Sequence, residues 1–128
     1  MKFNKNVTSS RRKQRKAHFT AQGTELTKQF TAQLSKPLQE EFSIKRIPIR
    51  PNDRVKILVG KFKARDGKVV RVNRHARKIC IEDCTITKKD GGIKYIGVHP
   101  SNVRIIGLSM EKDRPKLLKA LQKKIKAE

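Results

Sequence analysis

Between Arg54 and Gly107 the apolar residues come only in short runs, each closed by glycine or by a charged turn. No run there is long enough for a packed helix. The two-residue alternation inside the runs instead places side chains on the two faces of short strands. "RVKILVG" puts Val55, Ile57 and Val59 on one face, and Gly60 ends it. "KVVRVNRHARK" predicts a second strand with Val70 and Val72 on one side. "KICIEDCTIT" predicts a third, with Ile79 and Ile81 inward and Cys80 and Glu82 outward. "KKDGG" is a hairpin signal, because Gly91 and Gly92 accept positive φ. "IKYIGV" and "NVRIIGL" supply two more strands. Five short strands with glycine-containing turns point to a mainly β chain whose residues 51–110 form a small, highly curved barrel. Closure is inferred because it removes exposed edges.

The flanks read differently. Residues 1–33 lack a sustained apolar period, and Phe3, Val7, Phe19, Leu26 and Phe30 stand as isolated anchors. Five of the six residues from Arg11 to Lys16 are basic. Such a segment is expected to be an extended basic arm that orders on a partner, or a mobile tail; composition alone does not separate the two. Within 34–50, Ser35 is placed to cap a short helix with Pro37 in its first turn. Leu38 and Phe42 share its face, and it stops near Ser43. "RIPIRPND" reads as an extended linker and a turn. Residues 111–128 predict a C-terminal helix with Asp113 as cap and Leu117, Leu118, Leu121 and Ile125 on one stripe.

A chain of 128 residues has room for one domain with a modest core. Only 35% is apolar, and the formal charge is +22, from 33 basic residues against 11 acids. The arm, the strand region and the C-terminal segment are all net basic. A compact state so charged repels itself until a polyanion neutralises it. A membrane partner is not expected, since no apolar run approaches the roughly 18 residues that span a bilayer. No hydrophobic secretion signal follows the first basic residues, so cytoplasm or nucleus is the expected compartment.

Cys80 and Cys84 have no second ligand pair, and on a strand they lie about 13 Å apart. No metal or cofactor is expected. Paired catalytic carboxylates and a glycine-rich phosphate loop are both missing. Asp53, Asp66, Asp83 and Asp90 fall at expected turns or strand ends. The chain therefore does not read as an enzyme.

Residues 52–72, "NDRVKILVGKFKARDGKVVRV", resemble the KOW motif of SH3-like barrels in ribosomal proteins and transcription elongation factors, through Asp53, Val55, Gly60, Lys63, Gly67, Lys68, Val69 and Val72. The flanks "MKFNKNVTSSRRKQRKAHF", "LSKPLQEEFSIKRIPIRPNDRV", "YIGVHPSNVRI" and "KDRPKLL" are similar to the KOW-containing large-subunit ribosomal protein family in its archaeal and eukaryotic form. The resemblance implies an SH3-like barrel without catalysis. It also implies a structural role on large-subunit ribosomal RNA near the polypeptide exit tunnel, and neighbouring ribosomal proteins as further partners. A homo-oligomer is not expected. Ribosomes of the cytoplasm would be the location, with nucleolar transit in a eukaryote. A KOW elongation factor and a freestanding RNA-binding regulator are the alternatives. Ala64 departs from the family pattern, which has glycine after the lysine.

The residues expected to meet RNA fall in three groups. Arg11, Arg12, Lys13, Arg15 and Lys16 are the first, with His18 and Phe19 able to stack on a base or simply to stand in solvent. Lys61, Lys63, Arg65 and Lys68 form the second, on a loop bracketed by Gly60 and Gly67. Arg71, Arg74, Arg77 and Lys78, with His75, form a third ridge. Gly60, Gly67, Gly91 and Gly92 are expected as structural turns. His99 is open to either RNA contact or capping of the turn at Pro100.

Overall fold

A computed structural model describes residues 3–127; Met1 and Lys2 of the expected arm and Glu128 of the expected C-terminal helix lie outside it. The elements run α1 (Arg11–Thr20), α2 (Gly23–Gln29), β1 (Thr31–Leu34), α3 (Lys36–Phe42), β2 (Arg46–Pro48), β3 (Arg54–Ile57), β4 (Asp66–Asn73), β5 (Lys78–Thr87), β6 (Ile93–Val98), a 3-10 turn at Pro100–Asn102, β7 (Val103–Gly107) and α4 (Arg114–Ala127). The strands form one mixed seven-stranded sheet in the order β2-β1-β7-β3-β4-β5-β6.

The five strands expected between 51 and 110 are present as β3 to β7. The hydrogen-bonded ladder, however, is open, with β2 and β6 as its edges. The ladder does not show the expected closure. The sheet is extended at β7 rather than closed upon β6, because β1 pairs with β7 in parallel, Leu34 opposite Ile105. β2 then pairs antiparallel with β1, Ala32 opposite Ile47. "RIPIR" is thus a strand and not a free linker: Ile47 and Ile49 alternate into the core.

Three irregularities bend the ladder, at Arg54/Val55, Val69/Arg71 and Cys80/Thr85. The first two each add one residue to one strand and the third adds three to β5, and an odd insertion reverses which face follows. Val69 is therefore fully buried and Val70 exposed, where simple alternation put Val70 inward; past the bulge Val72 packs on the core. The irregularity in β5 likewise brings Cys84 into the core beside Ile79 and Ile81. Val59 lies beyond the end of β3 and is exposed.

The core is one cluster, filled by Val55, Ile57, Ile79, Ile81 and Ile105 from the strands and by Leu118 from α4. In α4, Leu117 and Leu121 are partly buried against that cluster, and Ile125 at the far end is exposed. α3 follows Ser35 as expected and ends at Ser43, whose φ is 54°. Gln122 of α4 donates to the Phe42 carbonyl at 3.0 Å, tying the two helices together.

One polar pair lies inside this core. Asp53 and Arg114 are both fully buried, and Arg114 Nη2 donates to Asp53 Oδ2 at 2.9 Å. Asp53 also accepts from the backbone N–H groups of Arg50 (2.9 Å) and Ser109 (3.0 Å), and Arg114 Nη1 donates to the Pro48 carbonyl (3.0 Å). Burial pulls the Arg114 guanidinium below its ordinary value, while the charge and hydrogen bond of Asp53 oppose this and Arg50 adds to the lowering. The pair joins the start of β3, the end of β7 and the start of α4 at one point.

One expected turn glycine has another role. Gly67 lies within β4 opposite Val55. A Cβ there would sit 2.8 Å from Ile81 Cγ2, so its requirement is close packing rather than positive φ. Of the hairpin pair, Gly91 takes φ 79° and Gly92 does not take a positive value.

Ala64 holds φ 70°, the conformation glycine usually supplies. It is locked by its N–H donating to the Ile57 carbonyl (2.9 Å) and by Ile57 N–H donating to the Arg65 carbonyl (2.8 Å). The alanine carries a left-handed penalty of about 1–2 kcal/mol, less the entropy advantage it has over glycine in the unfolded chain. Ala64→Gly is therefore expected to stabilise the fold by up to about 1 kcal/mol, read as a higher urea midpoint at unchanged slope; a lower midpoint would contradict this.

Candidate nucleic-acid interface

α1 has the sequence RRKQRKAHFT and buries no residue. It forms a helix where an extended arm was expected, since no apolar stripe marks it. Arginine, lysine, glutamine and alanine are nevertheless strong helix formers, and local propensity decides where packing is absent. The helix is poorly balanced by itself. Arg11 and Arg15, and Arg12 and Lys16, are like charges four apart, which repel along one face. No acid occupies the first turn to meet the helix dipole. A ten-residue helix of this kind is marginal alone; neutralisation by an anion removes its main cost.

One latch fixes α1 to the sheet. An Nη2 group of Arg77 donates to the backbone carbonyl of His18. The Arg77 guanidinium also lies 5.7 Å from the centroid of the Phe19 ring, and that of Arg15 lies 4.9 Å from it. His18 meets the same ring edge-on at 5.1 Å. Cation–ring contacts of this kind contribute about 0.5–1 kcal/mol where exposed. Arg77 is presented by a tight turn. Ala76 N–H donates to Asn73 Oδ1 at 3.1 Å, and Arg77 itself takes φ 51°. The Nε of Arg77 is buried and finds no acceptor among the described residues.

The latch brings the first and third basic groups together. Between α1 and the β4–β5 turn lies a cleft of about 370 Å³, lined by Phe19, Arg77 and all three histidines of the chain, His18, His75 and His99. His99 is shared with a second groove of about 360 Å³ that also includes Lys61, Phe62 and Lys78. The basic loop 60–65 therefore continues the same band. Phe62 packs partly on the core and carries the Arg65 guanidinium 5.4 Å from its ring centroid, so it serves as packing beneath the loop.

Other expected residues are placed differently. Lys68 is in β4, paired opposite Arg54 rather than on the loop. Arg54 forms an exposed ion pair with Asp66 at 2.8 Å, one worth little by itself. Lys63, Arg71 and Arg74 are exposed, outside the two cavities. His99 serves as a cap: Ser101 N–H donates to its Nδ1 at 3.2 Å, opening the 3-10 turn. Capping does not remove His99 from the cleft.

The two cysteines do not act together. Cys80 is partly exposed and Cys84 lies in the core, where burial pushes its thiol up, Asp83 adds to the rise and Arg65 opposes it. No helix among the described residues is long and apolar enough to cross a membrane.

Comparison with known proteins gives a consistent result. Residues 8–121 match the family of ribosomal proteins that comprises the eukaryotic L26 proteins and their archaeal L24-type counterparts. The "Large ribosomal subunit protein uL24" of Dictyostelium discoideum is 42% identical over 128 residues, covering 100% of this chain and 92% of that protein. Proteins of the same name from Littorina littorea and Schizosaccharomyces pombe are each 41% identical. Both alignments cover 92% of this chain, with 83% and 94% of the relative. With the match running from the basic helix through the sheet into α4, the chain belongs to this eukaryotic and archaeal family of ribosomal proteins.

Proposed function

We propose that this protein is a structural constituent of the large ribosomal subunit, binding and organising large-subunit ribosomal RNA without catalysis. The observation that carries the reading is the latch between Arg77 and α1. It turns separate basic segments into one band running from Arg11 past His18 and His99 to Lys61. Arg11, Arg12, Lys13, Arg15 and Lys16 supply a phosphate-facing helix. Lys61, Lys63 and Arg65 grip from the loop, and Arg71, Arg74, Arg77 and Lys78 from the ridge. Release of counterions from the RNA backbone would provide most of the affinity.

The bent unit of β3 to β7 acts as the KOW, SH3-like scaffold, and residues 1–33 act as the arm. A site near the exit tunnel, contacts with neighbouring ribosomal proteins and nucleolar transit in a eukaryotic cell follow from the resemblance of the KOW segment and its flanks. The family match favours this reading over a transcription elongation factor.

Gradient fractionation of cell extract, with the protein followed by blot, tests the proposal. Co-migration with large subunits after a high-salt wash is the expected result. Migration with RNA polymerase, or at the top of the gradient, would reject it.

A further inference from the structure

The cleft between α1 and the β4–β5 turn has chemistry beyond that of a phosphate contact. Among the described residues, no carboxylate lines it. Arg77 stands at one wall with the cation that a phosphate requires. The rest of the lining is aromatic or apolar: Phe19 and the three histidines, with Leu26, Ala21 and Ala76. A bare phosphate would leave those surfaces unused. A nucleobase would not, because every base has a face to stack and an edge to accept hydrogen bonds.

The volume of about 370 Å³ falls in the roughly 300–1,000 Å³ range of small-ligand pockets. His99 Nδ1 lies 2.8 Å from the Ser101 hydroxyl and 3.2 Å from the Ser101 N–H. In the neutral tautomer whose Nδ1 accepts from Ser101, the hydrogen sits on Nε2 and leaves one donor.

We propose that this cleft holds one unstacked RNA nucleobase, stacked against Phe19 and His18, with Arg77 on its phosphate and His99 Nε2–H and His75 at its edge. The proposal rests on the RNA-binding reading and adds to it a site that selects single-stranded nucleotides from duplex. Arg77 has a double role here. Its link to the His18 carbonyl holds the stacking wall at its distance, so the latch and the pocket are one device.

The experiment compares the full chain's affinity for two fluorescent RNA probes of equal charge, an adenosine hexanucleotide and the same ribose–phosphate hexamer without bases. Both are measured by anisotropy across a salt series. The base-bearing probe is expected to bind about tenfold tighter, as base–aromatic stacking provides, with a ratio that varies little with salt. Phe19→Leu is expected to shrink the ratio to about twofold or less; Phe19 is exposed on a helix outside the core, so the fold does not depend on it.

Equal affinity for the two probes with a steep salt dependence would overturn the base pocket and leave the RNA-binding reading standing. A tenfold ratio that persists in Phe19→Leu would place the base elsewhere and overturn the assignment. Absence of binding to either probe at low salt would overturn both.

Discussion

Asp53→Asn is expected to lower the stability of the protein by about 3–5 kcal/mol, the cost of leaving a buried charge without its partner. The asparagine side chain would keep the shape and could still accept some hydrogen bonds, so the loss isolates the charge. The Arg114 guanidinium has no route to water, since it is fully buried between Pro48, Asp53 and the start of α4. Folded domains carry only about 5–15 kcal/mol in total, so the variant should populate unfolded chains near physiological temperature. Urea denaturation followed by circular dichroism reads the effect. The double variant Asp53→Leu with Arg114→Met should be less damaged than Asp53→Asn, because it removes both charges and fills the space with apolar atoms. Its recovery would remain partial, because the N–H groups of Arg50 and Ser109 lose their acceptor. A single-variant loss below about 1 kcal/mol would show that the pair contributes no more than an exposed one.

The second large effect concerns binding rather than folding. Replacing Arg11, Arg12, Lys13, Arg15 and Lys16 together by glutamine should reduce affinity for large-subunit ribosomal RNA by roughly two to three orders of magnitude at about 0.15 M salt. The slope of log affinity against log salt should fall by about one for each phosphate that is no longer neutralised. The denaturation midpoint should hardly change, because α1 buries nothing. Entry of the fivefold variant into large subunits should fall in parallel, as measured in purified subunits. Incorporation at the level of the unchanged protein would contradict the role assigned to α1. A collapsed midpoint would instead show that α1 contributes to the fold.

Much of the scaffold was legible. The alternation in "RVKILVG" and "KICIEDC" marks Val55, Ile57, Ile79 and Ile81 correctly, because strand side chains have a period of two wherever the ladder is regular. The same rule fails at Val70, because a bulge shifts the period and no residue type announces it. β1 and β2 escape the pattern for a different reason. A strand of three or four residues carries too few alternations to be read, and "TAQL" becomes a strand only because β7 offers it a ladder. The buried pair escapes it because Asp53 has the spacing of a turn residue, which it also is. Its partner Arg114 is 61 positions away.

The interface divides in the same way. The basic clusters, and the stacking character of His18 and Phe19, are visible as residue types. That His18, His75 and His99 share one cleft is not, since nothing in the spacing connects them.

The sequence by itself determined what kind of partner this chain requires, because net charge and apolar content add up over the residues irrespective of their arrangement. It also set the strand-rich centre and the two helices with readable ends, because turns, caps and side-chain period act over a few neighbours. Only the tertiary structure decided that the sheet is open at both ends, that one carboxylate sits buried against one guanidinium, and that the basic helix is fastened beside the β4–β5 turn. Each of those depends on groups that meet across long stretches of chain, and such meetings are selected by the packing of the whole molecule rather than by any local preference.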